Sequence, residues 1–186
     1  MPVSLFDSFH AAFPPSSERV PFDPKRHDAL AAKVPPALAA EWREFGFGAY
    51  GSGIVWTCDP VAEPFLDPDD WSPLDGTGIE VLRTAFADVC LWQQEQFILL
   101  SVHSGKSFEF GSNAELFFGS LVHQPFRKSY LLERLFGIAR RRFGELGADE
   151  CYGFAPLPAL GGAIAEEHLI KAPMREYVAM AAQVVD

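Results

Sequence analysis

The chain has 186 residues, 48% hydrophobic and 22% charged, the size of one large domain or two small, closely packed ones with material for a core. Its formal net charge of −10 disfavours nucleic acid and anionic membrane, whose binding rests on Lys and Arg meeting phosphate, and favours a basic partner. Cys58, Cys90 and Cys151 are scattered, residues 1–13 lack Lys and Arg, and no apolar run is long; a disulfide framework, a secretory signal and a membrane span are not expected, and the cytoplasm is the expected compartment.

In chain order, Ser4 with Asp7 three positions on resembles a capping box and predicts a short helix over about 5–13, ended by Pro14 and Pro15. A second helix follows Asp23-Pro24. A third runs over 36–45, with Pro36 in its first turn and Leu38, Trp42 and Phe45 on one face. Gly46, Gly48, Gly51 and Gly53 then carry the chain into a strand over 54–57. Residues 58–78 read as a long loop punctuated by Pro60, Pro64, Pro68 and Pro73.

Two apolar runs, 89–92 and 97–102, predict buried strands joined by the polar turn 93–96, and the alternation around Phe108 and Phe110 predicts a third. Connections this short require antiparallel pairing. Ser112 with Glu115 predicts a helix through about 122. Leu132, Leu135, Phe136, Ala139, Phe143 and Leu146 keep helical spacing over about 128–146, with Gly147 placed as its C-terminal cap. Pro173 opens a last helix with Met174, Tyr177, Val178 and Ala181 on one face. The expected class is α+β: a small central antiparallel sheet flanked by N-terminal helices and a helical C-terminal portion. The expected organisation is one compact unit over 1–186, its two portions meeting near 111–112.

Motifs for chemistry fail on context. Gly46-Phe47-Gly48-Ala49-Tyr50-Gly51 matches G-x-G-x-x-G, but a helix precedes these glycines and a strand follows, the reverse of a dinucleotide site. Gly105-Lys106-Ser107 lacks the first glycine of a phosphate-binding loop, since that position is Leu100. His10, His27, His103, His123 and His168 show no metal-ligand spacing, so neither a metal nor a cofactor is expected. The one nucleophile candidate is Cys151, with His168 as base and Asp149 or Glu150 as orienter; the competing reading is a small buried hydrophobe.

The charge distribution is more informative. From Glu44 to Leu82 there is no Lys or Arg, while Glu44, Asp59, Glu63, Asp67, Asp69, Asp70, Asp75 and Glu80 fall in that interval. Acidic side chains interleaved with Phe65, Leu66 and Trp71 on a long loop suit a site for a basic partner. A solvated loop with Phe65 and Trp71 turned into the core is the alternative, and both stand open. A basic group at Arg127, Lys128, Arg134, Arg140, Arg141 and Arg142 is read as a helix's polar face, with pairing to the acidic loop, within the fold or across a dimer, as the other reading.

Two stretches carry a family resemblance. PALAAEWREFGFGAYGSGIVWTCDP, from Pro36 to Pro60, resembles the start of GAD-like domains, and LGADECYGFAPLPALGG, from Leu146 to Gly162, resembles the C-terminal signature of the same bacterial family. Thr84-Ala85-Phe86-Ala87-Asp88 fits the family's T-A-F-G-D element with Ala87 in place of Gly, and Leu116-Phe117-Phe118 its paired-Phe helix. The resemblance implies an immunity protein for a type VI secretion toxin, some of which are DNases, acting by binding and occlusion rather than catalysis. Its partner would be a cognate toxin with a basic surface, its binding residues Asp59, Glu63, Asp67, Asp69, Asp70 and Trp71, with Glu150 and Tyr152 beside them. The alternatives are a nucleic-acid accessory module, since GAD domains accompany tRNA-handling enzymes, and a hydrolase using Cys151 and His168. Nothing in the sequence sets the oligomeric state.

Overall fold

Helix signals and glycine stops set the N-terminal architecture. The computed structural model describes residues 5–71 and 77–185; Ser4, Pro73 and Asp75, which figure in the sequence reading, lie outside them. Helix α1 spans Leu5–Ala12. In α2 (Pro24–Ala31) the Asp23 side chain caps the first turn by accepting from the Lys25 amide. Helix α3 spans Pro36–Phe45, as its pattern predicts, and buries Leu38 and Trp42. It ends at Gly46, whose φ of +65° falls in the left-handed region; a Cβ there would lie 2.2 Å from the Val20 carbonyl oxygen.

Seven strands form one antiparallel meander in chain order: β1 (Pro15–Val20), β2 (Phe47–Tyr50), β3 (Val55–Thr57), β4 (Ile79–Thr84), β5 (Val89–Gln93), β6 (Gln96–Leu100) and β7 (Ser107–Glu109). The sheet is larger than the sequence pattern indicates. The glycine-rich turn contains β2 and a 3₁₀ turn at Gly51–Gly53, while β1 and β4 go unsignalled because polar residues dominate β1 and Glu80, Arg83 and Thr84 interrupt β4.

The C-terminal portion departs further from expectation. Helix α4 (Ala114–Val122) is capped by Asn113, whose side chain accepts from the Leu116 amide at 3.0 Å, and not by Ser112. The predicted long helix is two: α5 (Gln124–Ser129) and α6 (Glu133–Phe143), separated by Leu132 at φ +47° and ψ +43°. Apolar spacing runs through the break because both pieces pack on the same core. Gly144, at φ +79°, ends α6 three residues before Gly147. Strands β8 (Glu150–Phe154) and β9 (Leu169–Pro173) pair as a second antiparallel sheet in a region read as helical, and α7 (Met174–Ala182) follows. The class is α+β.

The large sheet is covered on both faces. Cys90, Phe97 and Leu99 join a core cluster with Phe9, Leu38, Trp42, Phe117 and Phe136. Val89, Leu91, Leu100 and Val102 face a second cluster with Cys151, Met174 and Tyr177. Tyr50 and His10 both reach the buried Glu41 carboxylate, at 2.6 and 2.7 Å. A methyl group at Gly46 would combine a strained φ with a backbone clash, so Gly46→Ala is expected to cost about 2–4 kcal/mol of unfolding free energy. Urea denaturation measures it; a loss under about 0.5 kcal/mol would show that the α3–β1 junction adapts freely.

Candidate functional site

The acidic loop after β3 is held at several points. The Asp59 carboxylate lies 3.1 Å from His27 Nε2 and accepts from the Val61 amide at 3.0 Å. The Glu80 carboxylate, on β4, accepts from the Phe65 and Leu66 amides at 3.0 and 2.8 Å, and burial raises its pKa against the pull of those two bonds. Leu66 and Trp71 enter the second core cluster. Between these tethers Asp67, Asp69 and Asp70 stay exposed and, among the described residues, in no ion pair. Asp67 Oδ1 accepts from the Asp69 amide, which sets the turn.

Several predicted site residues are placed otherwise. Trp71 is only 2% exposed, so the exposed-anchor reading is corrected: the indole is worth more as buried area under the loop than it would be in water. Tyr152 is fully buried against Phe86 and Phe136 and donates its hydroxyl to the Gly144 carbonyl. Glu150 is ion-paired to Lys171 at 2.7 Å and accepts from the Gly147 amide; these two contacts hold its pKa below the usual range. Glu63 is exposed, 3.8 Å from Arg175, which also donates to the Glu63 and Pro64 carbonyls. Among the described residues the basic group pairs elsewhere within the chain, Arg127 with Glu133, Arg134 with Glu166 and Arg140 with Glu145.

The Cys151–His168 pair does not assemble. Cys151 sits in β8 opposite Ala172, whereas His168 lies beside Ala155, four residues further along the strand, about 13 Å at ordinary strand rise. Burial pushes the Cys151 thiol up to about 12 and raises those of Cys58 and Cys90 as well. A thiol reagent near pH 8 is therefore expected to label none of the three in the native protein and all three after denaturation. Fast native labelling of Cys151 would revive the nucleophile reading.

A feature the sequence did not signal is Arg83. It is 1% exposed, and its guanidinium lies 4.3 Å above the Trp56 ring while Nη2 donates to the Ala148 carbonyl at 2.8 Å. Among the described residues no carboxylate is within ion-pair distance, Nη1 has no partner, and burial lowers the pKa to about 10. Arg83 lines a cavity of about 200 Å³ that also takes in Asp59, Glu63 and Asp149. A second cavity of about 650 Å³, between β1 and residues 145–148, shares Val20, Phe47, Gly48, Trp56 and Ala148 with it.

A separate buried cluster joins the large sheet to α7. Asp88 accepts from the Val102 amide at 2.9 Å, and burial pushes its carboxyl up to about 7. His103 is pushed down to about 4 by burial, with Tyr177 Oη 3.4 Å from its Nδ1. The signs oppose. The Asp88 contribution is present below its ordinary 3.8 and is lost as pH rises through about 7, whereas that of His103 is present above 6.5 and is lost as pH falls through about 4. Relative to wild type, Asp88→Asn is expected to gain stability as pH rises from about 4 to 7, and His103→Phe as pH falls from about 6.5 to 4. Urea midpoints across pH test this; parallel profiles for all three proteins would contradict it.

The GAD-like domain model matches residues 4–104, and the model described as "T6SS immunity protein Tdi1, C-terminal" matches residues 111–185. No curated protein matches. A solved structure, "Crystal structure of Atu4351 from Agrobacterium tumefaciens", superposes with a TM-score of 0.71 at 16% identity, covering 96% of this chain and 88% of that one. That likeness is one of fold. Among the described residues no helix is long and apolar enough to cross a membrane, and no group of three or more His, Cys, Asp or Glu could hold a metal ion.

Proposed function

The chain belongs to the GAD-like domain family, and from this we propose that it is a type VI immunity protein that binds the basic surface of a cognate secreted toxin and neutralises it by occlusion. The match of residues 111–185 to a type VI immunity model carries the reading. The two portions act as one binding unit in the cytoplasm of the producing cell. A DNase is a suitable toxin, because an enzyme that grips DNA presents cationic surface to phosphate, and an acidic protein of net charge −10 competes for it.

The acidic loop supports the same reading. Asp67, Asp69 and Asp70 are exposed and, among the described residues, in no ion pair, while Leu66, Trp71 and the Glu80 carboxylate hold the backbone beneath them. Backbone held at residues 65, 66 and 71 before binding loses less entropy on association. With Asp59 and Glu63 at the loop's base, the face steers a cationic partner and slows its escape. Trp71 and Tyr152 have no place on that face, and Glu150 is spent on Lys171.

Co-expression of the tagged chain with the polypeptide encoded by the adjacent reading frame is expected to yield a stable complex and to relieve that polypeptide's growth arrest. Replacing Asp67, Asp69 and Asp70 together by Lys is expected to weaken the complex on the order of 10- to 100-fold, with a shallower salt dependence than wild type. Absence of both complex and relief would sink the immunity reading. Unchanged affinity in the triple variant would remove the loop from the interface.

A further inference from the structure

The two cavities adjoin, sharing Val20, Phe47, Gly48, Trp56 and Ala148 in their linings, and are taken together as one groove. Its walls come from both portions of the chain: β1 and β2 on one side, residues 145–149 on the other, and the base of the acidic loop at one end. We propose that this groove seats an extended segment of the toxin bearing Arg or Lys side chains. This rests on the immunity reading and moves the centre of the interface from the loop tip to the groove.

Charge is the first argument. Glu18 and Asp149 stand exposed, Glu18 on β1 and Asp149 in the segment before β8, and among the described residues neither is in an ion pair, while Asp59 and Glu63 line the loop end. The lining also holds Arg19, Arg83 and Arg175, but their donors are turned onto the protein's own carbonyls. Arg19 donates to the Phe45 and Ala49 carbonyls at 2.6 and 2.7 Å and to that of Gly46 at 3.1 Å. Arg83 donates to Ala148, and Arg175 to Glu63 and Pro64. Of the lining carboxylates, Asp59, Glu63, Glu80 and Glu145 are held by His27, by Arg175, by the Phe65 and Leu66 amides and by Arg140. Glu18 and Asp149 are therefore the two the groove offers to a visitor, and six carboxylates against three arginines leave the lining net negative.

The floor supplies the second argument. Half-buried Trp56 and Phe65 give it apolar surface, along which the aliphatic stems of Arg or Lys can lie with their heads at the carboxylates. The Arg83 guanidinium beneath this floor is itself buried, so it meets no visitor directly and acts by holding the Ala148 wall in place.

Hydrogen exchange and titration calorimetry with a synthetic alternating arginine–glycine peptide test the groove without the toxin. Slowed exchange is expected in β1 and over residues 145–149. Two variants probe it: Ala148→Trp, which fills the shared stretch from an exposed position, and the pair Glu18→Lys with Asp149→Lys. Each is expected to lower peptide affinity on the order of tenfold, with circular dichroism confirming the fold. The Asp67, Asp69 and Asp70 triple replacement by Lys removes more negative charge in total, yet is expected to lower it less; a stronger effect of the triple would show a mere net-charge response and overturn the groove. Protection confined to residues 59–71, or affinity unchanged in both groove variants, overturns it too. A toxin complex indifferent to both groove variants rejects the groove and leaves the immunity reading standing. Peptide binding in the groove without any toxin complex does the reverse.

Discussion

The joint between the large sheet and residues 147–148 depends on one guanidinium. Arg83 leaves β4, passes under Trp56 and ends on the Ala148 carbonyl, so a side chain of the large sheet ties down the segment that leads into β8. Taking a cation out of water without a carboxylate partner costs several kcal/mol, and the offsets here are a main-chain carbonyl at 2.8 Å, a second at 3.4 Å and the faces of two aromatic rings. An apolar residue of similar volume would avoid that cost but would leave residues 147 and 148 without their tether. What Arg83 supplies is therefore position more than stability.

Glu80, three residues earlier on β4, does the matching work on the other side. Its carboxylate takes two consecutive amides of a Pro-rich loop that can form no ladder of its own. Both bonds lower the pKa while burial raises it, and the upward push wins, which measures how far the group has been withdrawn from water. The loop's apolar residues follow the same logic: Leu66 and Trp71 go inward and the carboxylates between them are left outside. One strand thus holds one wall of the groove through Arg83 and the loop at its end through Glu80.

This explains which parts of the molecule were legible in the sequence. Helices α2 and α3 announce themselves through Asp23-Pro24 and Pro36, and the β5–β6 hairpin through two apolar runs around a polar turn. Strand β4 does not, because its function requires Glu80 and Arg83 where a simple strand would carry apolar residues. Leu132 hid the break between α5 and α6 because an apolar residue in the left-handed region leaves the hydrophobic period intact. The acidic character of the loop was legible as composition. That Trp71 is an anchor for the loop and not for a partner was not, since burial of one aromatic depends on contacts far away in sequence. The T-A-F-G-D element is instructive in the same way: Ala87 sits at φ +67°, so the family's glycine answers a backbone requirement that alanine meets at a cost of about 1–2 kcal/mol.

The groove also bears on why two family models divide one chain between them. Residues 4–104 and 111–185 match separate models, yet neither stretch contains both walls: Glu18, Gly48 and Trp56 belong to the first, Glu145 and Ala148 to the second. The joint is sealed by contacts that cross it, α1 on α4, Arg83 on Ala148, Phe86 stacked on Phe154, and Val89 and Leu91 in one cluster with Tyr177. A surface assembled across such a joint exists only when both portions are folded and docked. On the proposed function, specificity for the toxin becomes a property of how the two portions are held together, and a substitution in β4 changes recognition without touching the toxin at all.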